Sequence, residues 1–169
     1  GCGGMLGDAF YQIYNPNYEL ICTDIDLNSD WLKYLDFREF NSYKKIVENF
    51  NPDFIFHIGA HTSLEFCENN IEETYLTNYF SVENAVILSN QYNIPLVFIS
   101  TAGIFDGKKD VYDDWDKPNP ISYYAKSKYL AEEYIQKNCN KYYIFRAGWM
   151  MGGGEKKDKK FVNKIIQQI

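Results

Sequence analysis

Apolar residues recur at helical spacing at Met5, Leu6, Ala9, Phe10 and Ile13, and the pattern stops near Asn15-Pro16-Asn17. Tyr18 to Thr23 is a short apolar run that closes on Asp24, the mark of a strand. A second helical pattern covers Ser42 to Phe50, with Tyr43, Ile46, Val47 and Phe50 on one side, and ends at Asn51-Pro52. Phe54 to Ala60 is a nearly continuous apolar strand. A long helix is expected from Glu72 to Tyr92, with Tyr75, Tyr79, Val82, Ala85, Val86 and Leu88 on its apolar side, broken at Ile94-Pro95. Leu96 to Ser100 is the next strand, and Gly107 to Pro120 is a polar loop. A helix then runs from about Ser122 to Lys137, Tyr142 to Ala147 is another strand, and a final helix starts near Lys159. Continuous apolar strands alternating with amphipathic helices predict an α/β fold: a doubly wound parallel sheet, covered on both faces, with ligands at the strand carboxyl ends.

Composition narrows the function classes. With 169 residues, 46% of them hydrophobic, the chain has the apolar mass for a core. A net charge of −6 supplies no basic face to displace counterions, which argues against nucleic acid as a partner. No apolar run reaches the roughly 18–20 residues needed to span a bilayer, so a membrane is not expected as a partner either. Cys2, Cys22, Cys67 and Cys139 are widely spaced with no CxxC pattern, as expected of reduced thiols in a cytoplasmic protein. His57 and His61 stand four apart where a strand leaves a sheet, which does not make a zinc pair, and no metal is expected.

Two constellations carry chemistry. Gly1, Gly4 and Gly7 stand in the spacing GxxGxxG, with Gly3 as an extra and Met5 and Leu6 between the last two. Such glycines allow a tight turn and let backbone approach a pyrophosphate, while the following helix offers amide donors. The same spacing also suits a flexible glycine-rich terminus. Asp24 follows Gly7 by 17 residues, where a carboxylate would bond the ribose hydroxyls of NAD and repel a 2′-phosphate. It reads equally as a turn residue at a strand end, and Asp26 is an alternative. The second constellation is Tyr124-Ala125-Lys126-Ser127-Lys128, which puts a phenol and an ammonium four residues apart on one helical face. An ammonium beside a phenol lowers its pKa and fits it for proton transfer to a carbonyl. The lysines also fit an ordinary solvated face. Thr101, just past a buried strand, adds a hydroxyl at the sheet edge where chemistry is expected.

Taken together, these residues resemble the extended short-chain dehydrogenase/reductase family, closest to dTDP-4-dehydrorhamnose reductases and related NAD-dependent epimerase/dehydratase-like proteins, over essentially the whole chain. Gly1 to Gly7 matches the family's glycine turn and Asp24 its acid. Leu35-Asp36-Phe37 matches the segment along the adenine, and Pro52-Asp53 through Ala60-His61-Thr62 the third nucleotide-binding strand. Asn78 matches the Asn of the next helix, and Thr101 to Gly107 the T-x-x-V-F-D-G run. Pro118-Asn119-Pro120 with Tyr124 to Lys128, and Arg146-Ala147-Gly148-Trp149, match the last two blocks.

The resemblance implies a Rossmann-like NAD(P)-binding domain over residues 1–169. It implies cofactor contacts at Gly1, Gly4, Met5, Leu6, Gly7, Asp24, Asp36, Phe37, Gly59, Ala60, His61, Tyr124 and Lys128, with NAD favoured over NADP by Asp24. It implies hydride delivery to the C4 carbonyl of a nucleotide-linked keto-sugar, with Tyr124 as proton donor, Thr101 orienting the oxygen, and Lys128 holding the ribose and depressing the Tyr124 pKa. A homodimer is compatible with it. Two departures touch substrate identity. Ala102-Gly103 stand where the reductases carry Asp-Tyr, and Ile58-Gly59-Ala60-His61-Thr62 replaces Ala-Ala-Ala-Tyr-Thr. Lack of acids after Thr101 argues against a dehydratase, while an epimerase and a non-catalytic nucleotide-binding module remain the alternatives to a reductase. The run Glu155 to Lys160 reads as a solvated loop, with a diphosphate contact by one lysine as the lesser alternative. The family's first strand belongs before Gly1 and its substrate domain after Ile169. The chain is therefore expected to be the nucleotide-binding part of a longer enzyme, binding cofactor poorly and not turning over alone.

Overall fold

The computed structural model describes residues 1–157 and residue 165. The helix expected from about Lys159 therefore lies outside the described residues, apart from helical Ile165. The chain forms two compact units, one made of Gly1–Asp36 with the segment from Trp149, the other of Phe37–Gly148.

In the first unit, helix α1 (Met5–Tyr14) follows the glycine turn, and strands β1 (Cys22–Asp24) and β2 (Leu32–Tyr34) pair in parallel, Cys22 opposite Leu32. β2 went unseen in the sequence because only Leu32 of its three residues is buried. A short helix α7 (Gly154–Lys157) belongs to the same unit. Lys157 is not a solvated-loop residue: its ammonium donates to Asp8 Oδ1 at 3.0 Å and lies 5.4 Å over the Trp31 ring, which stacks on Tyr11.

The second unit carries the three-stranded parallel sheet β3-β4-β5: β3 (Ile55–His57), β4 (Leu96–Thr101) and β5 (Tyr142–Ala147). β4 is central, and its register ends with Thr101 opposite Ala147, so Thr101 stands at the carboxyl edge. Helix α2 (Phe40–Phe50) ends on Asn51 and α5 (Ser81–Tyr92) on Asn93, both left-handed at φ 50° and 56°, which explains why Asn precedes each break. Helix α6 (Tyr123–Asn138) starts on Ser122, whose hydroxyl accepts from the Ala125 N–H at 3.2 Å.

Three expectations need correction. The single sheet is instead two parallel sheets, of two and three strands. On the larger sheet Phe56, Tyr143 and Phe145 of the outer strands are exposed, while Val97 of the central strand between Phe56 and Tyr143 is buried. The long helix is also not uniform. A separate short helix α3 (Leu64–Asn69) ends at the non-helical Asn70, and the long helix then begins as α4 (Ile71–Tyr75), passes through a π-helical turn (Leu76–Phe80), and continues as α5. Its first buried side is polar, with Thr74, Thr77, Asn78 and Ser81 facing inward while Tyr75 and Tyr79 are only half-buried. Short hydroxyls can be buried there because the helix itself satisfies them: Thr74 donates to the Asn70 carbonyl at 2.8 Å and Ser81 to that of Thr77 at 2.6 Å. Apolar periodicity cannot register such a face.

The core of this unit sits between the sheet and α5 and α6, with Leu88, Leu96, Phe98, Ala131 and Ile135 fully buried. Leu88→Ala removes three heavy atoms from a fully buried site, and should lower the unfolding free energy in urea by about 2–5 kcal/mol. A loss below about 1 kcal/mol would show that α5 is not packed as described.

Candidate active site

The glycine turn is shaped by close approach. A Cβ on Gly7 would lie 2.3 Å from Cys2 Cα, so only glycine lets α1 pack against the turn. Gly4 is the N-cap of α1 in extended conformation, and Met5 and Leu6 are the first helical residues. The Asp24 carboxylate accepts the Gly3 N–H at 2.8 Å and the Asp26 N–H at 2.9 Å. Burial works to raise its pKa, yet the Asp26 amide, the Gly1 ammonium 3.4 Å away and the Gly3 amide together hold it below its ordinary value. Asp24 is thus a fixed, ionised acceptor at the end of β1. The neighbouring Asp26 accepts from Asn28 at 3.2 Å and is exposed. Asp36 lies in this unit, half-buried, next to Leu35.

The remaining candidates lie in the second unit. Thr101 ends β4, and its hydroxyl accepts the Gly103 N–H at 3.1 Å. That bond opens a 3₁₀ turn (Ala102–Ile104) absent from the sequence reading. Tyr124, on the first turn of α6, stands near the Thr101 hydroxyl, whose influence works to lower the phenol's pKa. The α6 start is held by Ser122 and by Glu68, whose carboxylate accepts the Tyr123 N–H at 2.8 Å. One turn further along, Lys128 is buried, its ammonium 4.0 Å from the centre of the Phe98 ring. The solvated-face reading therefore does not hold for Lys128. Desolvation lowers its pKa to about 7, against a smaller upward pull from Glu132. Tyr124 also departs from expectation: burial pushes its phenol up, opposed by the Thr101 hydroxyl. Burial outweighs any help from an ammonium that is itself partly neutralised by desolvation.

Asn78 ties these pieces together. Its Oδ1 accepts the His61 N–H at 2.8 Å, and its Nδ2 donates to the His61 carbonyl at 2.9 Å and to Ser127 Oγ at 3.1 Å. Ser127 in turn donates to the Tyr124 carbonyl at 2.8 Å. The Gly59-Ala60-His61 segment after β3 is thereby held at a set distance from the first turns of α6. The His61 ring reaches Glu73, which also takes the Arg38 guanidinium at 2.6 Å. Phe37 packs its ring 4.8 Å from that of His57, and its carbonyl accepts from Asn84 at 3.1 Å.

Beside Thr101, a cavity of about 320 Å³ is lined by Ala102, Phe105, Tyr112, Asp113, Asp114 and Arg146. Its loop is internally tied, with Asp106 accepting from Tyr112 at 2.7 Å and from Asn119 at 3.1 Å. Thr101, Tyr124 and Lys128 do not line it, so it flanks these three candidates instead of containing them.

All 169 residues match the family described as the RmlD substrate binding domain. The chain belongs to that family. Over 119 residues it is 32% identical to the dTDP-4-dehydrorhamnose reductase of Salmonella typhimurium, covering 70% of this chain and 40% of that protein. Over 170 residues it is 24% identical to methionine adenosyltransferase 2 subunit beta of Danio rerio, covering 100% of this chain and 52% of that protein. The solved structure of the dTDP-4-dehydrorhamnose reductase of Bacillus anthracis str. Ames in complex with NADP superposes with a TM-score of 0.84 at 27% identity, over 99% of this chain and 57% of that one. The chain spans about half the length of the relatives it matches.

Within this RmlD-family chain, motif reading had singled out Thr101, Tyr124, Lys128 and Asn78, and the structure brings all four around the first turns of α6. It had missed Glu68, Glu73, Ser127 and Glu132. For Glu132 a signal existed: it continues the spacing of Tyr124 and Lys128 by another four residues.

The buried lysine sets a pH dependence. Its folded pKa, about 7, lies below the ordinary 10.5, so between those values the unfolded chain holds a proton that the native one lacks. Stability should therefore rise with pH across that window and level off below about 7, where both states are protonated. His57, lowered by burial to about 3 from 6.5, adds a loss of stability as pH falls through that range. Lys128→Met should flatten the alkaline rise and lift the neutral-pH melting temperature by at least about 2–4 °C. Parallel melting curves of the two proteins from pH 6 to 10 would contradict the buried ammonium.

Proposed function

We propose that the protein carrying this chain reduces the 4-keto group of a nucleotide-linked sugar with NAD(P)H, in the manner of a dTDP-4-dehydrorhamnose reductase. Residues 1–169 are read as its nucleotide-binding part. The observation that carries the reading is Tyr124 beside the Thr101 hydroxyl at the carboxyl edge of β4, with Lys128 buried one turn along the same helix.

The residues fit a dinucleotide on their own terms. Gly7 marks a turn that a Cβ would fill, Asp24 is an ionised acceptor suited to ribose hydroxyls, and Lys128 is a buried ammonium whose described contacts are an aromatic face and the field of Glu132. When bound, the nicotinamide supplies the hydride. Thr101 orients the carbonyl oxygen by hydrogen bond. Tyr124 gives its proton to that oxygen as negative charge develops, and a phenol raised by burial stays protonated until then. Lys128 offers an ammonium to the ribose and to the phenolate left behind. Asp24 favours NADH, since a 2′-phosphate would face a carboxylate already fixed by two amides.

A second reading is a nucleotide-binding subunit without turnover. The match along the full chain to a subunit named beta of methionine adenosyltransferase favours it, as does Ala102-Gly103 in place of Asp-Tyr.

Oxidation of NADH by the intact protein in the presence of a panel of nucleotide-linked 4-keto-sugars tests the choice. Turnover is expected, with Tyr124→Phe lowering kcat by about 10²–10⁴-fold. Tight NADH binding with no turnover on any sugar would select the subunit reading. Asp24→Ala should narrow the preference for NADH over NADPH by about tenfold, one lost ribose interaction being about 1–1.5 kcal/mol. A preference that is unmoved by this change would remove Asp24 from the ribose site.

A further inference from the structure

Glu132 has no place in the chemistry above, yet it is a fully buried carboxylate. It faces β5, where Arg146 Nε donates to both of its oxygens at 3.2 and 3.1 Å and Nη2 donates to Oε2 at 2.8 Å. Arg146 lies 5.5 Å over the Phe105 ring, which follows the turn opened by Thr101. Its Nη1 reaches the Asp114 carbonyl at 3.5 Å. One guanidinium thus joins α6, β5 and the loop leaving Thr101.

A buried ion pair is a poor way to add stability, because desolvating two charges cancels most of their attraction and an apolar pair of the same size does as well. What an apolar pair cannot do is fix orientation and field. Tyr124, Lys128 and Glu132 occupy successive turns of α6, so a forked bond at Glu132 sets the rotation and axial position of the helix that presents the other two. The carboxylate also stands one turn from a buried ammonium.

Resting on the reading of Tyr124 and Lys128 as the reacting pair, we propose that the Glu132–Arg146 pair is the positioning device of this site, holding α6 on β5 so that Tyr124 meets Thr101 and keeping a carboxylate in reach of the Lys128 ammonium. Glu132 is fully buried, whereas Arg146 also lines the cavity beside Thr101. The groups facing Lys128 are Glu132 from its own helix, His57 from β3 and the Phe98 ring from β4; those facing Glu132 are Arg146 from β5 and, on α6, Lys128 and Tyr129.

The test uses the intact protein with ¹³Cε-labelled lysine, the Lys128 resonance being assigned by its loss in Lys128→Met. Glu132→Gln should lower the Lys128 titration midpoint by roughly one pH unit, and Arg146→Gln, which leaves the carboxylate uncompensated, should raise it by a similar amount. Glu132→Asp should stay near wild type. Loosened packing alone would move both variants the same way, so opposite shifts are the signature. Should Arg146→Gln fail to fold, the double variant Glu132→Gln/Arg146→Gln leaves no unpaired buried charge, and its midpoint should still fall below wild type. In the sugar assay, Glu132→Gln should lower kcat by about 10- to 100-fold with little change in KM, a loss of alignment and not of binding. Midpoints that are unchanged, or shifted together, overturn the proposal. Absence of turnover by the wild-type protein counts against the reductase reading instead, and leaves the Lys128 titration to decide on the pair.

Discussion

Helix α6 lies across the carboxyl edge of the central strand β4, and everything chemical in the Phe37–Gly148 unit depends on how tightly that contact is made. Ala125, Ser127, Ala131 and Ile135 are all buried against the sheet and its neighbouring helices. Small residues at three of these four places let the helix approach closely enough for Lys128 to lie on the Phe98 ring. Close approach has an electrostatic consequence, since an ammonium without water is stabilised only by what the protein puts near it. An aromatic face and a carboxylate one turn away are what α6 and β4 provide. Burial thereby sets the protonation of Tyr124 and Lys128 together, raising one and lowering the other.

Two polar clamps keep the contact in register. Asn78 is an amide used almost to capacity: one acceptor and both donor directions are spent on His61 and Ser127. It stands in a π-helical turn, a geometry that recurs where a helix must aim a side chain instead of merely packing. Glu132 and Arg146 form the second clamp, two turns further along. Because each clamp joins α6 to a different element, tilting the helix would break one or the other, and a buried half-broken network is costlier than none.

Much of this was legible in the chain. Apolar runs located β3, β4, β5 and the helices around them, since parallel strands with buried faces must be continuously apolar. Spacing put Tyr124 and Lys128 on one face because a helix repeats its face every four residues, and Thr101 was read from its place at the end of an apolar strand. What stayed hidden was of two kinds. β2 buries only Leu32, and the inner face of the helix before α5 carries polar residues that are satisfied locally, so neither leaves a hydrophobic signature. The protonation states stayed hidden as well: the sequence pairs a phenol with an ammonium, but only packing reveals that desolvation dominates both.

The departures at Ala102 and Gly103 take on a different sense beside this geometry. Gly103 donates its N–H to Thr101, and a Cβ there would stand 3.2 Å from the Thr101 hydroxyl oxygen. A larger residue would press on the group that meets Tyr124, whereas glycine leaves the Thr101 hydroxyl placed by backbone alone. Ala102 is exposed and lines the cavity next to Arg146 and Phe105. The change from an acid to Ala therefore alters the wall of a neighbouring space and leaves Thr101, Tyr124 and Lys128 in place. In the proposed reductase, substrate recognition and proton transfer would be separable, the first written in the loop after β4 and the second in the contact between β4 and α6.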